Sequence, residues 1–188
     1  MTVKICIDIT VAFCIAIVAM IPMLIIALVI KFTSKGPIIY WSQRVGQYNK
    51  IFYMPKFRTM YLGAPTVATH LIESPIKHIT PIGKILRNFS LDELPQLWSI
   101  ICGKMSIIGP RPALFNQDDL IKLRTDKNIH LLKPGITGWA QINGRDELTI
   151  NEKVKYDTYY FEHQSFILDL KIFFLTFKKI LLRDNIKH

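Results

Sequence analysis

The sequence predicts an α+β protein, mostly helical with a small sheet, that is attached to a membrane through its N-terminal helix. Three observations predict this class. Residues 9–30 carry no charge, residues 38–54 contain two short β-prone runs around a turn, and most later segments have helical patterns punctuated by proline and glycine. A chain of 188 residues favours one compact domain with an appendage, so we expect a membrane segment at residues 1–32 and one domain at residues 33–188.

The N-terminal apolar run is long enough to enter a membrane. Its 22 uncharged residues form about 33 Å of helix, against a hydrocarbon core of about 30 Å. A signal peptide fits less well, because the run is longer than the apolar core of a signal peptide and residues 31–35 offer no small-residue cleavage site.

The path of this segment through the membrane is open between a straight span and a bent, re-entrant hairpin. Pro22 lies inside the run and removes a backbone donor, which favours a kink or a break. Basic residues flank the run, with Lys4 before it and Lys31 and Lys35 after it. Only a hairpin keeps both flanks on the cytoplasmic face, as the positive-inside rule favours. Asp8 is costly in lipid, and Lys4 one turn earlier can pair with it.

Local signals predict the remaining elements. Strands are expected at residues 38–41 and 51–54, and Thr80-Pro81 supplies the cap and first residue of a helix that ends near Arg87. Ser90 begins another helix, which extends to about Ile101. Other segments are a loop of weak pattern at residues 61–79, turns at residues 103–112 and 133–144, and helices at residues 116–125, 151–162 and 167–182.

The last predicted helix has apolar residues spaced three and four positions apart, with lysines mainly off that stripe. One interpretation is a helix that packs its stripe into the core. The other is a basic amphipathic helix that lies on an anionic leaflet. The stripe consists of Phe166, Leu170, Phe173, Phe174, Phe177 and Leu181.

The formal charge of +10 resembles that of a nucleic-acid-binding protein, but it is unevenly distributed. Residues 1–117 hold 12 Lys and Arg against four acids, a net +8, whereas the remainder holds 12 against 10, a net +2. An anionic partner would therefore be contacted mainly by residues 1–117, where most of the positive charge lies.

Asp92-Glu93 is the only acidic pair in the first 117 residues. In one interpretation, residues 90–93 form a capping box that only stabilises a helix. In the other, adjacent carboxylates divide two tasks, nucleophilic attack on phosphorus and binding of Mg²⁺. Pro95 just inside the helix and the surrounding cations favour the second and suggest a multiply anionic, phosphorylated substrate. These cations are Lys56, Arg58, Lys84, Arg87, Lys104 and Arg111.

Two later segments are candidates for substrate contacts. In Gly109-Pro110-Arg111-Pro112, two prolines stiffen the backbone around one guanidinium, which suits a phosphate clamp but also describes an ordinary proline-rich turn. Residues 134–145 combine glycines with polar side chains and form either the wall of a nucleotide or sugar site or a tightly packed loop.

Four motifs follow one another along the chain. They are Lys56-Phe-Arg-Thr-Met60, Ser90-Leu-Asp-Glu-Leu-Pro-Gln-Leu97, Gly109-Pro-Arg-Pro112 and Pro134-Gly-Ile-Thr-Gly-Trp-Ala-Gln-Ile-Asn-Gly-Arg145. In this order they resemble the bacterial sugar transferase family, the monotopic phosphoglycosyl transferases that begin glycan assembly on a polyprenyl phosphate. Asp169-Leu-Lys171 also fits, and the resemblance covers nearly the whole chain.

The resemblance implies a two-step reaction at the cytoplasmic face of the bacterial inner membrane. Asp92 would attack the β-phosphate of a UDP-sugar and release UMP, and undecaprenyl phosphate would then take the phosphosugar from the aspartate. Glu93 matches the family's Mg²⁺ ligand. The resemblance further implies binding of membrane lipids, no nucleic-acid partner and an N-acetylated hexosamine or deoxy sugar. The matching substrate-binding positions are Arg87 and Arg111 and, more weakly, Lys56, Arg58 and Arg145.

One feature departs from the family pattern. The family's re-entrant helix usually has serine before the proline of its break, and this chain has Ile21 before Pro22. The hydroxyl that could satisfy the freed backbone group is therefore missing. A function of another class, a membrane-anchored module that binds nucleic acid or anionic lipid, would also use the positive charge, although no nucleic-acid reading motif is evident.

Overall fold

The structure, a computed structural model, describes residues 2–64, 78–144 and 147–182. These residues are mostly helical and include two small two-stranded sheets, which confirms the predicted fold class. Short 3₁₀ segments lie at Gln47–Asn49, Leu91–Gln96 and Ile129–Leu131. The elements are α1 (Thr2–Thr33), β1 (Ile39–Val45), β2 (Ile51–Phe57), α2 (Pro81–Asn88), α3 (Leu97–Ile101), β3 (Ser106–Ile108), α4 (Asp118–Asp126), β4 (Gly135–Thr137), α5 (Trp139–Ile142), α6 (Ile150–Glu162) and α7 (Phe166–Leu182).

The contacts divide the described residues into two compact units. The first contains those within Met1–Ser42 and Tyr53–Ile101, and the second contains those within Gln43–Phe52 and Cys102–Lys187. The predicted boundary between residues 32 and 33 concerns exposure to lipid and stays a prediction. By its contacts, α1 belongs with the following residues of the first unit.

Helix α1 is long and apolar enough to cross a membrane. Over Val3–Thr33 it reaches a mean hydropathy of 3.1, and only 11% of its most apolar stretch is buried. Most of its large side chains are exposed, Val18 at 81%. Such a surface is unfavourable in water and favourable in lipid, so the helix suits a membrane segment.

The C-terminal part of α1 packs on protein. Ile30 is fully buried with Phe57 of β2 and Leu86 of α2 in one apolar cluster. The helix is continuous through Pro22 and ends at Thr33, so the break predicted at Pro22 is not present as an interruption of the helix. A proline removes only one backbone donor, and the turns on either side retain their own hydrogen bonds.

The first sheet is the predicted hairpin. Strands β1 and β2 pair around the 3₁₀ turn at Gln47–Asn49, and both are longer than predicted. Tyr48 and Asn49 adopt the left-handed conformation that the tight turn requires.

The second sheet was not predicted. β3 and β4 run parallel with Ser106 opposite Gly135 and Ile108 opposite Thr137. A three-residue strand is too short to show an alternating pattern, so β4 and α5 were predicted only as a turn-rich segment. Glycine lets the strands approach, because a Cβ at Gly135 would lie 2.2 Å from the Gly109 nitrogen.

Helix α7 packs on the second unit through a different face from the predicted stripe. Ile172 is fully buried in a cluster with Ile108, Ile142 and Tyr160. Of the predicted stripe, Phe173 is partly buried, and the side chain of Leu181 lies outside the described residues. The core-packing interpretation was therefore wrong for the remaining stripe residues, which are exposed: Phe166, Leu170, Phe174 and Phe177.

Candidate active site

Asp92 and Glu93 lie in the 3₁₀ segment Leu91–Gln96, directly before α3. The capping-box interpretation of residues 90–93 is wrong, because Ser90 adopts a left-handed backbone (φ 54°) and its side chain makes no cap hydrogen bond. An N-cap residue needs an extended backbone to aim its hydroxyl at the helix. Pro95 lies inside the same segment, so the predicted distortion of the first turn is confirmed.

The carboxylate of Asp92 is buried, with 8% of the residue exposed. A buried carboxylate is costly unless opposite charge or hydrogen bonds compensate it. Arg87 supplies part of that compensation. Burial lowers the pKa of the Arg87 guanidinium, and the negative charge of Asp92 acts in the opposite direction. The two predicted site residues therefore share one electrostatic environment in the first unit.

Glu93 is paired with Lys56. The Lys56 Nζ donates to Oε1 of Glu93 at 2.8 Å, and the two side chains are only 14% and 11% exposed. This pair joins β2 to the acidic turn across 37 residues of sequence. The structure thus brings together four of the predicted site residues in the first unit, namely Lys56, Arg87, Asp92 and Glu93.

The position of Arg87 depends on how α2 begins. Thr80 caps α2 by accepting from the Gly83 amide at 3.0 Å, as predicted, and its own amide donates to the Thr59 carbonyl at 2.9 Å. A Cβ at Gly83 would lie 2.1 Å from that carbonyl, so only glycine permits this approach. Arg87 Nε then donates to the Thr59 hydroxyl at 2.9 Å, which fixes the guanidinium beside the residues that follow β2.

Arg58 is held by residues that follow α1. It is 5% exposed, and its guanidinium donates to the Ser34 carbonyl at 2.9 Å, to the Ser34 hydroxyl at 2.7 Å and to the Lys35 carbonyl. Gly36 has a φ of +119°, and a Cβ there would lie 2.0 Å from Nη1 of Arg58. These contacts anchor the chain just after α1, and the substrate contact expected for Arg58 stays a prediction.

Two further site residues were predicted, Arg111 and Arg145. Arg111 belongs to the second unit, where residues 110–113 line a shallow cleft that opens to solvent, together with Arg124 and His130. Arg145 lies outside the described residues, so its predicted role stays a prediction.

Glu93, the predicted Mg²⁺ ligand, lies beside a second carboxylate, that of Asp92. Within residues 2–64, 78–144 and 147–182, no group of three His, Cys, Asp and Glu side chains is gathered in a way that could hold a metal ion. Mg²⁺ needs only one or two protein carboxylates, since waters and substrate phosphates complete its coordination. The hard oxygen donors of Asp92 and Glu93 fit that requirement, and a metal at Glu93 would share the carboxylate with Lys56.

Comparison with known proteins identifies the family. The profile described as bacterial sugar transferase matches residues 1–183, almost the whole chain. The chain belongs to the bacterial sugar transferase family. The resemblance inferred from the four motifs is thereby confirmed, and the alternative of a membrane-anchored binding module is set aside in favour of an enzyme of this family.

Individual relatives include EpsL of Bacillus subtilis, named an uncharacterized sugar transferase, at 38% identity over 85% of this chain and 77% of that protein. A UDP-glucose:undecaprenyl-phosphate glucose-1-phosphate transferase of Xanthomonas campestris is 40% identical over 85% of this chain. A UDP-N-acetylgalactosamine-undecaprenyl-phosphate N-acetylgalactosaminephosphotransferase of Aeromonas hydrophila is 35% identical over 85%. The chain spans only 34% and 39% of the last two proteins.

Several residues with structural roles are not evident from the sequence. Thr59, which belongs to the Lys56–Met60 motif, bonds both Thr80 and Arg87. In the second unit, Arg124 and Asp157 form a buried ion pair. Asp157 lies on the helix predicted at residues 151–162, at a position that is 1% exposed, and an acid among the apolar residues of that helix is the signal in the sequence.

Proposed function

We propose that this chain transfers a sugar 1-phosphate from a UDP-sugar to undecaprenyl phosphate and releases UMP through a covalent intermediate on Asp92. The observation that carries the proposal is the buried carboxylate of Asp92, which shares its environment with Arg87 and is followed by the Lys56–Glu93 pair. Family membership and the printed names of the undecaprenyl-phosphate relatives support the substrate classes.

The proposed reaction has two displacements at one phosphorus atom. In the first, a carboxylate oxygen of Asp92 attacks the β-phosphorus of the UDP-sugar, the bond to the bridging oxygen breaks, and UMP leaves. The product is an acyl phosphate that carries the sugar. In the second, a phosphate oxygen of undecaprenyl phosphate attacks the same phosphorus and breaks the bond to Asp92. This forms undecaprenyl diphosphate sugar and restores the carboxylate.

The surrounding residues have separate tasks in this proposal. Arg87, held by Thr59, stabilises negative charge that develops on the phosphoryl oxygens. Lys56 orients Glu93. Glu93, with Asp92 adjacent, would hold Mg²⁺, and the ion would neutralise phosphate charge during both displacements. Arg111 of the second unit is proposed to bind anionic substrate, as the family motif implies.

The membrane-bound acceptor requires membrane attachment. We propose that α1 bends at Pro22 without losing its helical hydrogen bonding on either side, and so inserts as a re-entrant segment from the cytoplasmic face of the inner membrane. We also propose that the exposed face of α7 lies at the lipid surface. The exposed apolar surface of α1 and the exposed aromatic side chains of α7 support this arrangement. UDP-sugars are soluble and cytoplasmic, so the catalytic residues would face that side.

A panel of UDP-sugars tests which sugar the protein transfers. The relatives above are named for glucose and for N-acetylgalactosamine, and the family resemblance favours an N-acetylated hexosamine or a deoxy sugar. We propose an N-acetylated hexosamine first. UMP release from a panel of UDP-sugars of these three kinds measures the choice directly.

The decisive experiment traps the intermediate. Purified protein in detergent is incubated with radiolabelled UDP-sugar and Mg²⁺ but without undecaprenyl phosphate. We expect one burst of UMP and a labelled, acyl-phosphate-linked protein, and both are lost in Asp92→Asn. Asp126→Asn, at the exposed end of α4, is the matched control and should behave like wild type. Turnover of Asp92→Asn at the wild-type rate would overturn the nucleophile assignment.

A further inference from the structure

The backbone around Arg111 is held at four successive carbonyl groups. The Pro110 carbonyl accepts from the Gly135 amide at 2.9 Å, and the Ala113 carbonyl accepts from the Val45 amide at 2.9 Å. Between them, guanidinium groups donate to the Arg111 carbonyl at 2.8 Å and to the Pro112 carbonyl at 3.1 Å. The donors belong to β4, β1 and α4, all within the second unit. This loop therefore has little freedom to move.

Arg124 is the donor to the Arg111 carbonyl, and it is fixed on its other side by Asp157. Its Nε and Nη2 donate to Oδ2 of Asp157 at 3.0 and 2.6 Å, while Nη1 donates to the Arg111 carbonyl. The side chains of the pair are 11% and 1% exposed. Burial raises the pKa of Asp157, and the Arg124 guanidinium opposes that shift. Only a planar group with several donors can make all three bonds.

A buried ion pair is weak evidence for stability, because apolar side chains of similar volume often stabilise a fold as well or better. The specific feature here is the third bond, which leads from the pair to the main chain of a residue in the cleft. That hydrogen bond fixes the backbone position from which the Arg111 side chain extends. A guanidinium that must match a phosphate at two points loses binding energy when its origin moves by a fraction of an ångström.

We propose that Arg124 is a positioning residue, oriented by Asp157, which fixes the main chain of Arg111 so that the Arg111 guanidinium meets an anionic group of the nucleotide substrate. The inference rests on the proposed function, since it takes the substrate of Arg111 to be the UDP-sugar. Arg124 itself touches Arg111 through the backbone and needs no contact with substrate.

The test separates positioning from stability. For Arg124→Lys we expect KM for the UDP-sugar to rise by about tenfold, the scale of one hydrogen bond to a charged group, while kcat changes by less than about threefold. Asp157→Ala should reproduce that KM. Asp157→Asn should be milder, because its amide oxygen still accepts from Arg124. Thr149→Ala, which removes the cap of α6, should lower the unfolding temperature and leave KM unchanged.

A double-mutant cycle then tests whether Arg124 acts through Arg111. The dissociation constant of UDP is measured by calorimetry for wild type, Arg124→Lys, Arg111→Ala and the double variant. We expect the effect of Arg124→Lys to disappear in the Arg111→Ala background. An equal effect in both backgrounds, a fall in kcat at constant KM, or wild type that does not bind UDP would overturn the inference.

The outcomes also separate this inference from the proposed function. Wild type that binds UDP with the expected coupling but releases no UMP from any UDP-sugar would contradict the proposed reaction and leave the positioning role supported. If Arg124→Lys or Asp157→Ala fails to fold, KM and the UDP dissociation constant are measured for Asp157→Asn, and we expect both to rise by a smaller factor. An unchanged KM and UDP affinity in folded Asp157→Asn would then overturn the role of the pair.

Discussion

At the scale of single residues, Asp92 and Glu93 show how two adjacent carboxylates come to have different surroundings. Asp92 and Glu93 are neighbours in sequence, but their partners come from different elements. The charge of Asp92 acts on Arg87 at the end of α2, whereas Glu93 accepts from Lys56 in β2. The two carboxylates therefore have different environments, as different roles in one reaction require.

Glu93→Gln provides the residue-scale prediction. The amide keeps the shape of the side chain but removes the charge that would attract Mg²⁺. We expect the Mg²⁺ concentration for half-maximal UMP release to rise at least about tenfold. Glu162→Gln, at the exposed end of α6, is the matched control. A Mg²⁺ dependence identical to that of wild type would contradict the ligand assignment.

Arg58 shows the limit of assigning a role from residue type. The family motif implies an anion contact for Arg58, and its guanidinium donates to the carbonyls of Ser34 and Lys35, directly after the end of α1. Carbonyls where the chain leaves a helix have no partner within the helix and accept such donors readily. Spacing in the sequence cannot distinguish these two partners.

At the scale of elements, α7 shows that periodicity identifies a helix but not which face is buried. Two faces are apolar. Ile172 enters the core, while Phe174 and Phe177 remain 66% and 60% exposed. The Nζ of Lys171 in α7 lies 5.5 Å from the centre of the Trp139 ring of α5, a cation–π distance. The spacing of apolar residues therefore leaves both a core helix and an interfacial helix possible from the sequence.

We predict that the exposed aromatic face of α7 lies at the membrane surface. A spin label at Phe174→Cys, in protein whose three native cysteines are replaced by serine, should be more accessible to oxygen than to a water-soluble nickel complex in vesicles. A label at Lys122→Cys, on an exposed position of α4, should show the opposite preference. Equal accessibility at the two positions would contradict an interfacial α7.

At the scale of the whole molecule, the decisive relation is that between α1 and the bilayer. The helix is continuous past Pro22, its C-terminal part is packed on the first unit, and most of its surface is exposed and apolar. A re-entrant path keeps Lys4 and Lys35 on one side, whereas a straight span separates them.

We predict that both flanks of α1 face the same side. Single cysteines at Lys4→Cys and Lys35→Cys, in the cysteine-free protein, should both react with a membrane-impermeant maleimide in inside-out vesicles of the inner membrane. Neither should react in right-side-out vesicles, and Lys122→Cys should follow the same pattern as a catalytic-domain control. Labelling of the two flanks from opposite sides would show that α1 spans the membrane.

The sequence by itself determined the features that local physics controls. A run of 22 uncharged residues specifies an apolar helix that is long enough to cross a membrane. Thr80-Pro81 specifies a helix start, because the cap bonds reach only three residues ahead. The four motifs also identified the family, since their residues and order can be recognised in the sequence without any knowledge of contacts.

Only the tertiary structure decided which partners these residues have. The Lys56–Glu93 pair, the Arg124–Asp157 pair and the β3–β4 ladder join residues far apart in the chain. Such bonds form because packing brings the groups together, and no local pattern records them. For the same reason the sequence does not show that Arg58 bonds the residues that follow α1, or that Ser90 has a left-handed backbone and not that of a helix cap.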